Sequence, residues 1–380
     1  MSSGASRALA SADRPRHPAV ESRASAGMAA FPTAPPTDSE RAAAAGEGET
    51  RSRRIEGTAR LGRRTKQLAR RLAPRDIAVI DHPDLDRLSA EELVRSGVTC
   101  VVNVAWSSTG RYPNLGPSIL TKSGVHLVDM PGAPLFEEVR DGEPVAVVGG
   151  RLVRGGRTLA EGHVINRPTA ARQIEAARHA LPAALEAFAA NTTARLRAEA
   201  HVASEPLELP VLGTPFAGGP ALVVARGSGH ARDLRALAPF IRDRRPVLVG
   251  VDGGADLLLA AGLRPDLIVG DMDSASDEAL RCGAELLLHA YPDGRAPGRG
   301  RLERLALAHT PLQVPGTSED AALILAAEKG ARPVVSLGSP LDLVEFLDRA
   351  RDGMASTFLT RLRIGDVLVD ARGMAALLDP

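Results

Sequence analysis

Val247–Ser274, VLVGVDGGADLLLAAGLRPDLIVGDMDS, decides the fold of the C-terminal half. It spans two short apolar runs of strand length, Pro246–Val251, whose first residue precedes it, and Leu267–Gly270, separated by a helical pattern over Ala255–Ala261. Strand, helix, strand at this spacing predicts parallel pairing, because the crossover helix returns the chain to the same edge. Each run ends in an acidic turn, Asp252-Gly253-Gly254 and Gly270-Asp271-Met272-Asp273-Ser274. Ligands of open parallel sheets bind outside the carboxyl ends of strands, and both turns fall there. Asp271 and Asp273, two apart, face one way if the backbone is extended. Gly253 and Gly254 leave the backbone bare where a helix begins and could receive a phosphate. Carboxylates for Mg²⁺ beside amides for phosphate are the parts that phosphoryl or pyrophosphoryl transfer needs. The competing reading is structural, since Asp at a strand end is also a common turn or cap residue.

Outward from this stretch the pattern repeats. Strands are expected at Ala221–Ala225, Ala284–Leu288 and Pro333–Leu337. Helices are expected at Ala231–Ile241, Asp277–Cys282, Ser318–Lys329 and Leu341–Ala350, with a last strand at Val367–Asp370. The N-terminal half predicts strands at Asp76–Ile80, Val98–Val104, Val125–Asp129 and Val145–Val148. Ser89 and Glu92 are spaced as a capping box for a short helix. A long helical pattern runs from Thr169 to Ala200, kinked or split by Pro182. The fold class is therefore α/β, an N-terminal mixed α/β domain followed by a parallel-sheet domain. The expected divisions are a disordered tail (1–50), an N-terminal domain with a basic lead-in (51–201), a Pro/Gly-rich linker (202–219), the parallel-sheet domain (220–350) and an extension (351–380). Met28 is a second candidate start.

Composition narrows function. Apolar residues make up 44%, enough for packed cores, while aromatics at 3% disfavour base stacking. Lys plus Arg (47) balance Asp plus Glu (46), so no global attraction to nucleic acid or membrane is expected. Residues 51–75 are the basic exception, read as a patch for an anionic lipid or a polyanion, or as a solvated helix face. Cys100 and Cys282 lie in different domains and suggest no disulfide framework. No stretch approaches the ~20 apolar residues of a spanning helix. A cytoplasmic location is expected.

Other candidates are weaker. Asp320, in Gly316-Thr317-Ser318-Glu319-Asp320, is either another magnesium carboxylate or half of a capping box with Thr317. Gly227-Ser228-Gly229 could approach a nucleotide phosphate, or be a flexible turn. His289, Asp293 and Arg295 lie near or within a Gly/Pro-rich loop and could reach a substrate, or His289 is an ordinary residue near a strand end. Asn103, Arg111 and Asn114 suggest a second ligand or interdomain contact, against a purely structural loop over Ala105–Pro117.

The block DGGADLLLAAGLRPDLIVGDMDS (252–274) resembles the signature of thiamin pyrophosphokinases. That resemblance implies Mg²⁺ and ATP or another nucleotide as cofactors. It also implies Asp252, Asp271 and Asp273 as catalytic metal ligands joined by Asp320. Gly253, Gly254, Ser274 and Thr317, with Gly227, become candidate phosphate and cofactor contacts. The chain departs from those enzymes at PDGRAPGRGR (292–301), where they carry an acidic, lysine-bearing loop. A broader resemblance rests on SSTGRYPNLGP (107–117), LEAFAANT (185–192), PDGRAPG (292–298) and STFLTRLRIGDVLVDA (356–371). Together these look like the SteA-type cytokinetic ring proteins. That family implies a role in cell separation, a septal membrane partner of the SteB type, recruitment to the inner membrane face and influence on peptidoglycan hydrolysis. A small phosphorylated ligand and a homodimer through the Thr169–Ala200 helix complete the expected partners. The expected function is a nucleotide-responsive scaffold; the alternative is an ATP-dependent diphosphokinase acting on a small alcohol.

Overall fold

The computed structural model describes residues 54–216, 218–291, 293–338, 344, 347 and 354–378. The expected tail (1–50) and the helix expected at 341–350 fall outside them, apart from Val344 and Leu347.

The first sheet has eight strands: β1 (Arg54–Gly62), β2 (Asp76–Ile80), β3 (Cys100–Asn103), β4 (His126–Asp129), β5 (Pro144–Val148), β6 (Arg151–Arg154), β7 (Arg157–Glu161) and β8 (His163–Ile165). Their order is β7-β6-β5-β1-β2-β3-β4-β8. β1 to β4 run parallel, and β5 and β8 pair antiparallel on either flank. DIAVI in β2 is buried throughout, as a strand covered on both faces must be. Ala78 and Ile80 join one apolar layer with Leu93 and Leu120, while Ile77 and Val79 join the other with Val102 and Val147.

The second sheet is wholly parallel, in the order β13-β12-β11-β10-β9-β14-β15. Its strands are β9 (Ala221–Val224), β10 (Val247–Val251), β11 (Leu267–Gly270), β12 (Glu285–Ala290), β13 (Thr310–Gln313), β14 (Val334–Leu337) and β15 (Leu368–Asp370). Val249, Val251 and Val269 pack under helix Ser318–Glu328. That helix buries every residue from Ala321 to Ala326, consistent with its Ala/Leu-rich composition. Leu222, Val224 and Leu258 fill the opposite layer. The expected α/β class holds, with a parallel second sheet; the first sheet is mixed.

Several local expectations differ. The basic lead-in is not one helix face; part of it is β1, in the middle of the first sheet, followed by the short helix Thr65–Ala69. Asp86, not Ser89, caps helix Arg87–Arg95, accepting from the Ser89 amide at 2.7 Å. Pro182 does not divide helix Arg167–Ala198. That helix starts in the first core with Ala170 and reaches the second with Leu196. The expected linker is laid down on the second domain. Phe216 is buried, Leu207, Leu209 and Leu212 pack beside it, and the Gly213 and Thr214 amides donate to Glu285. The extension supplies the edge strand β15.

Candidate functional site

The two acidic turns meet. β10 and β11 are adjacent and parallel, so their carboxyl ends deliver Asp252 and Asp271 side by side. Asp252 takes a left-handed backbone, φ +48°, a conformation Asp tolerates better than most residues. Its amide donates to Val269 O at 3.0 Å, and its carboxylate accepts from the Met272 amide at 2.9 Å. Gly270 is required beneath it, because a Cβ there would strike the Asp252 carboxylate. Asp271 is within hydrogen-bonding reach of Asp252. Burial, then the Asp271 charge, push the Asp252 carboxyl well above the usual carboxylate range. The Ser318 hydroxyl lies beside Asp252 and 3.3 Å from His289 Nδ1, whose Nε2 is 2.7 Å from Val314 O. His289 thus enters the site through Ser318.

The other candidates are placed differently. Asp273 turns outward to Arg64 at 2.7 Å, with Gln67 on its carbonyl. Asp320 is buried under a capping box: it accepts from the Thr317 amide (3.0 Å) and hydroxyl (2.8 Å) and from Ser356 Oγ (2.8 Å). Burial pushes its carboxyl up, and these donors oppose that. Thr317 is committed to the same box. Gly253 gives its amide to Ser274 Oγ at 3.2 Å, and a Cβ on Gly254 would meet the Val224 carbonyl. Both glycines therefore allow close packing. The Gly227 amide donates to His230 Nδ1 at 2.8 Å. Asp293 and Arg295 pair with one another at 2.6 Å.

Among the described residues, no group of three or more His, Cys, Asp or Glu is placed to hold a metal ion. Mg²⁺ does not require one. It is commonly held by one or two carboxylates plus phosphate oxygens and water. The Asp252–Asp271 pair fits that mode, since two close carboxylates need either a shared proton or a cation between them.

The N-terminal domain supplies a neighbour that sequence reasoning missed. Arg70 pairs with Asp256 at 3.1 Å and reaches the Ser274 carbonyl, so Arg64, Gln67 and Arg70 all lie on the acidic turn or beside it. Arg226 forms a buried ion pair with Glu92, and Ser228 donates to Glu91 at 2.8 Å. Burial, with Arg70 adding, lowers Arg226 to about 10. The basic run over 51–75 was the only sequence signal for part of this contact.

The asparagines suggested for a second ligand or interdomain contact bond within their own domain, and Arg111 lies 4.0 Å from Asp84. Asn103 is buried, bonded to His82 N and O and to Ser107 Oγ, and Asn114 donates to Leu85 O and Ser107 O.

No family model matches the sequence, and no curated protein matches it. Among solved structures, the chain is similar to a thiamine pyrophosphokinase from Bacillus subtilis. Identity is 25% over 35% of this chain and 53% of that one, with a TM-score of 0.22. The chain spans about half the length of that structure. Among the described residues, no helix is long and apolar enough to cross a membrane.

Proposed function

We propose that the parallel-sheet domain binds a phosphorylated ligand, a nucleotide among the candidates, through a divalent cation held by Asp252 and Asp271. The carrying observation is the contact between these two carboxylates at the ends of neighbouring strands. A bound Mg²⁺ would supply positive charge to phosphate oxygens at that point. The Met272 amide holds Asp252 in place, and the Asp273 amide holds Asp271 at 3.0 Å. Asp273 and Asp320 are engaged by Arg64 and by the helix cap, so the cation shell is narrower than four carboxylates.

The domain contacts around the acidic turn favour a ligand-responsive scaffold, because a ligand there touches both halves of the protein. On the SteA-type resemblance, its partner is a septal membrane protein of the SteB type and its output is control of peptidoglycan hydrolysis. The diphosphokinase reading shares the cation site and differs in turnover.

Mn²⁺ titration followed by electron paramagnetic resonance tests the site. Asp271→Asn should weaken Mn²⁺ binding by about tenfold or more, the scale expected when one of two charged ligands is lost. Unchanged Mn²⁺ affinity in that variant would remove the proposal. AMP release from ATP with thiamin, measured in parallel, would replace the scaffold by the enzyme.

A further inference from the structure

Between the domains, against the acidic turn, lies a cleft of about 370 Å³. Gln67 and Arg70 line it from the N-terminal domain, and Asp273, Ser276, Arg301 and Arg304 from the parallel-sheet domain. Three guanidinium groups face one carboxylate, and that carboxylate is already paired with Arg64. Arg301 is fixed by Asp277 and by the Met272 carbonyl, and Arg70 by Asp256. Arg304 is exposed and makes no ion pair with any described residue. The volume lies at the lower end of small-molecule sites. Its lining carries no aromatic side chain, so it offers charge and hydrogen bonds and no stacking surface for a base.

We infer that this interdomain cleft is a polyphosphate site, in which Arg70 from one domain and Arg301 and Arg304 from the other hold the anionic end of the ligand. Arginine suits this role because its planar fork meets phosphate oxygens in pairs. The helix Arg299–Arg304 carries two of the three arginines. The inference rests on the proposed cation site in one respect. The Asp273 amide donates to Asp271, so one turn carries both a member of the cation pair and the cleft wall. A ligand with consecutive phosphates can use both. The recognised chemistry is a short polyphosphate chain, whether free or as the tail of a nucleotide.

Calorimetry on the full chain with Mg²⁺ separates these sources, using inorganic tripolyphosphate, ATP and adenosine as probes. Tripolyphosphate should bind, ATP should bind within a fewfold of it, and adenosine should not bind. Arg304→Gln should weaken tripolyphosphate by roughly fivefold or more, as loss of a charged hydrogen bond implies. Arg70→Gln should do likewise, reading the contribution of the other domain. Urea midpoints close to wild type would show that either variant folds. Affinity should fall as salt is raised. The inference is overturned if wild-type protein ignores tripolyphosphate while binding Mn²⁺, or if both folded variants bind it as wild type does. It is overturned too if adenosine alone accounts for ATP affinity. If Mn²⁺ does not bind but tripolyphosphate does, dependent on Arg304, the cation reading falls and the anion site stands.

Discussion

Asp252 and Asp129 show how one residue type carries two different constraints. Both are carboxylates at the ends of parallel strands with burial pushing them up, but their partners differ. Asp252 faces a second carboxylate, a clash that sequence signalled by placing two acidic turns on neighbouring strands. Asp129 is fully buried, held by the Ser107 amide at 2.9 Å and hydroxyl at 2.5 Å, and lies at about 7. No motif marked it. A carboxyl raised in the folded state keeps its proton when the unfolded chain has lost it. Its stabilisation is therefore complete below the unfolded value of 3.8 and is lost as pH climbs to about 7. Across that window the loss is on the order of a few kcal/mol. Asp129→Asn should flatten that part of the stability profile, read from urea midpoints between pH 4 and 7.5. A wild-type slope retained in the variant would assign the titration elsewhere.

At the scale of elements, helix Ser318–Glu328 separates structural from ligand chemistry. Asp320 was legible as either capping partner or metal ligand, because both uses need an acid early in a helix. The structure shows it capping, with Ser356 from the distant helix Met354–Ile364 adding a bond that no local spacing could reveal. Asp320→Ala should therefore cost about 1–3 kcal/mol through donors left unpaired, with Mn²⁺ affinity unchanged. Parallel loss of Mn²⁺ binding would restore Asp320 as a ligand. Apolar runs such as DIAVI and LIVG were legible as strands because burial on both faces leaves only apolar residues. β1 was not. RIEGTARLG places its arginines and glutamate on exposed or half-buried positions, and charge hid a strand that sits in the middle of the sheet. The hairpin β6–β7 was missed for a related reason, its outer strand being mostly exposed and polar.

For the whole molecule, the central strands Asp76–Ile80, Cys100–Asn103 and His126–Asp129 of the first sheet and six of the seven strands of the second were legible, and the union of the sheets was not. The contacts that join them span more than a hundred residues of sequence, as with Glu92 to Arg226 and Arg64 to Asp273, and such pairs leave no periodic trace. Their energies differ by exposure. Arg64 to Asp273 is solvated and worth at most about 1 kcal/mol. Glu92 to Arg226 is buried, so removing one partner strands the other charge, at a cost of about 3–5 kcal/mol. Because the pair bridges the domains, that cost falls on their association. Wild-type protein should unfold in one calorimetric transition. Arg226→Ala should lower the midpoint and split the transition in two, as each sheet melts on its own core. Arg64→Ala should leave the single transition in place. A single, merely shifted transition in Arg226→Ala would mean that helix Arg167–Ala198, packed into both cores, couples the domains without the ion pair.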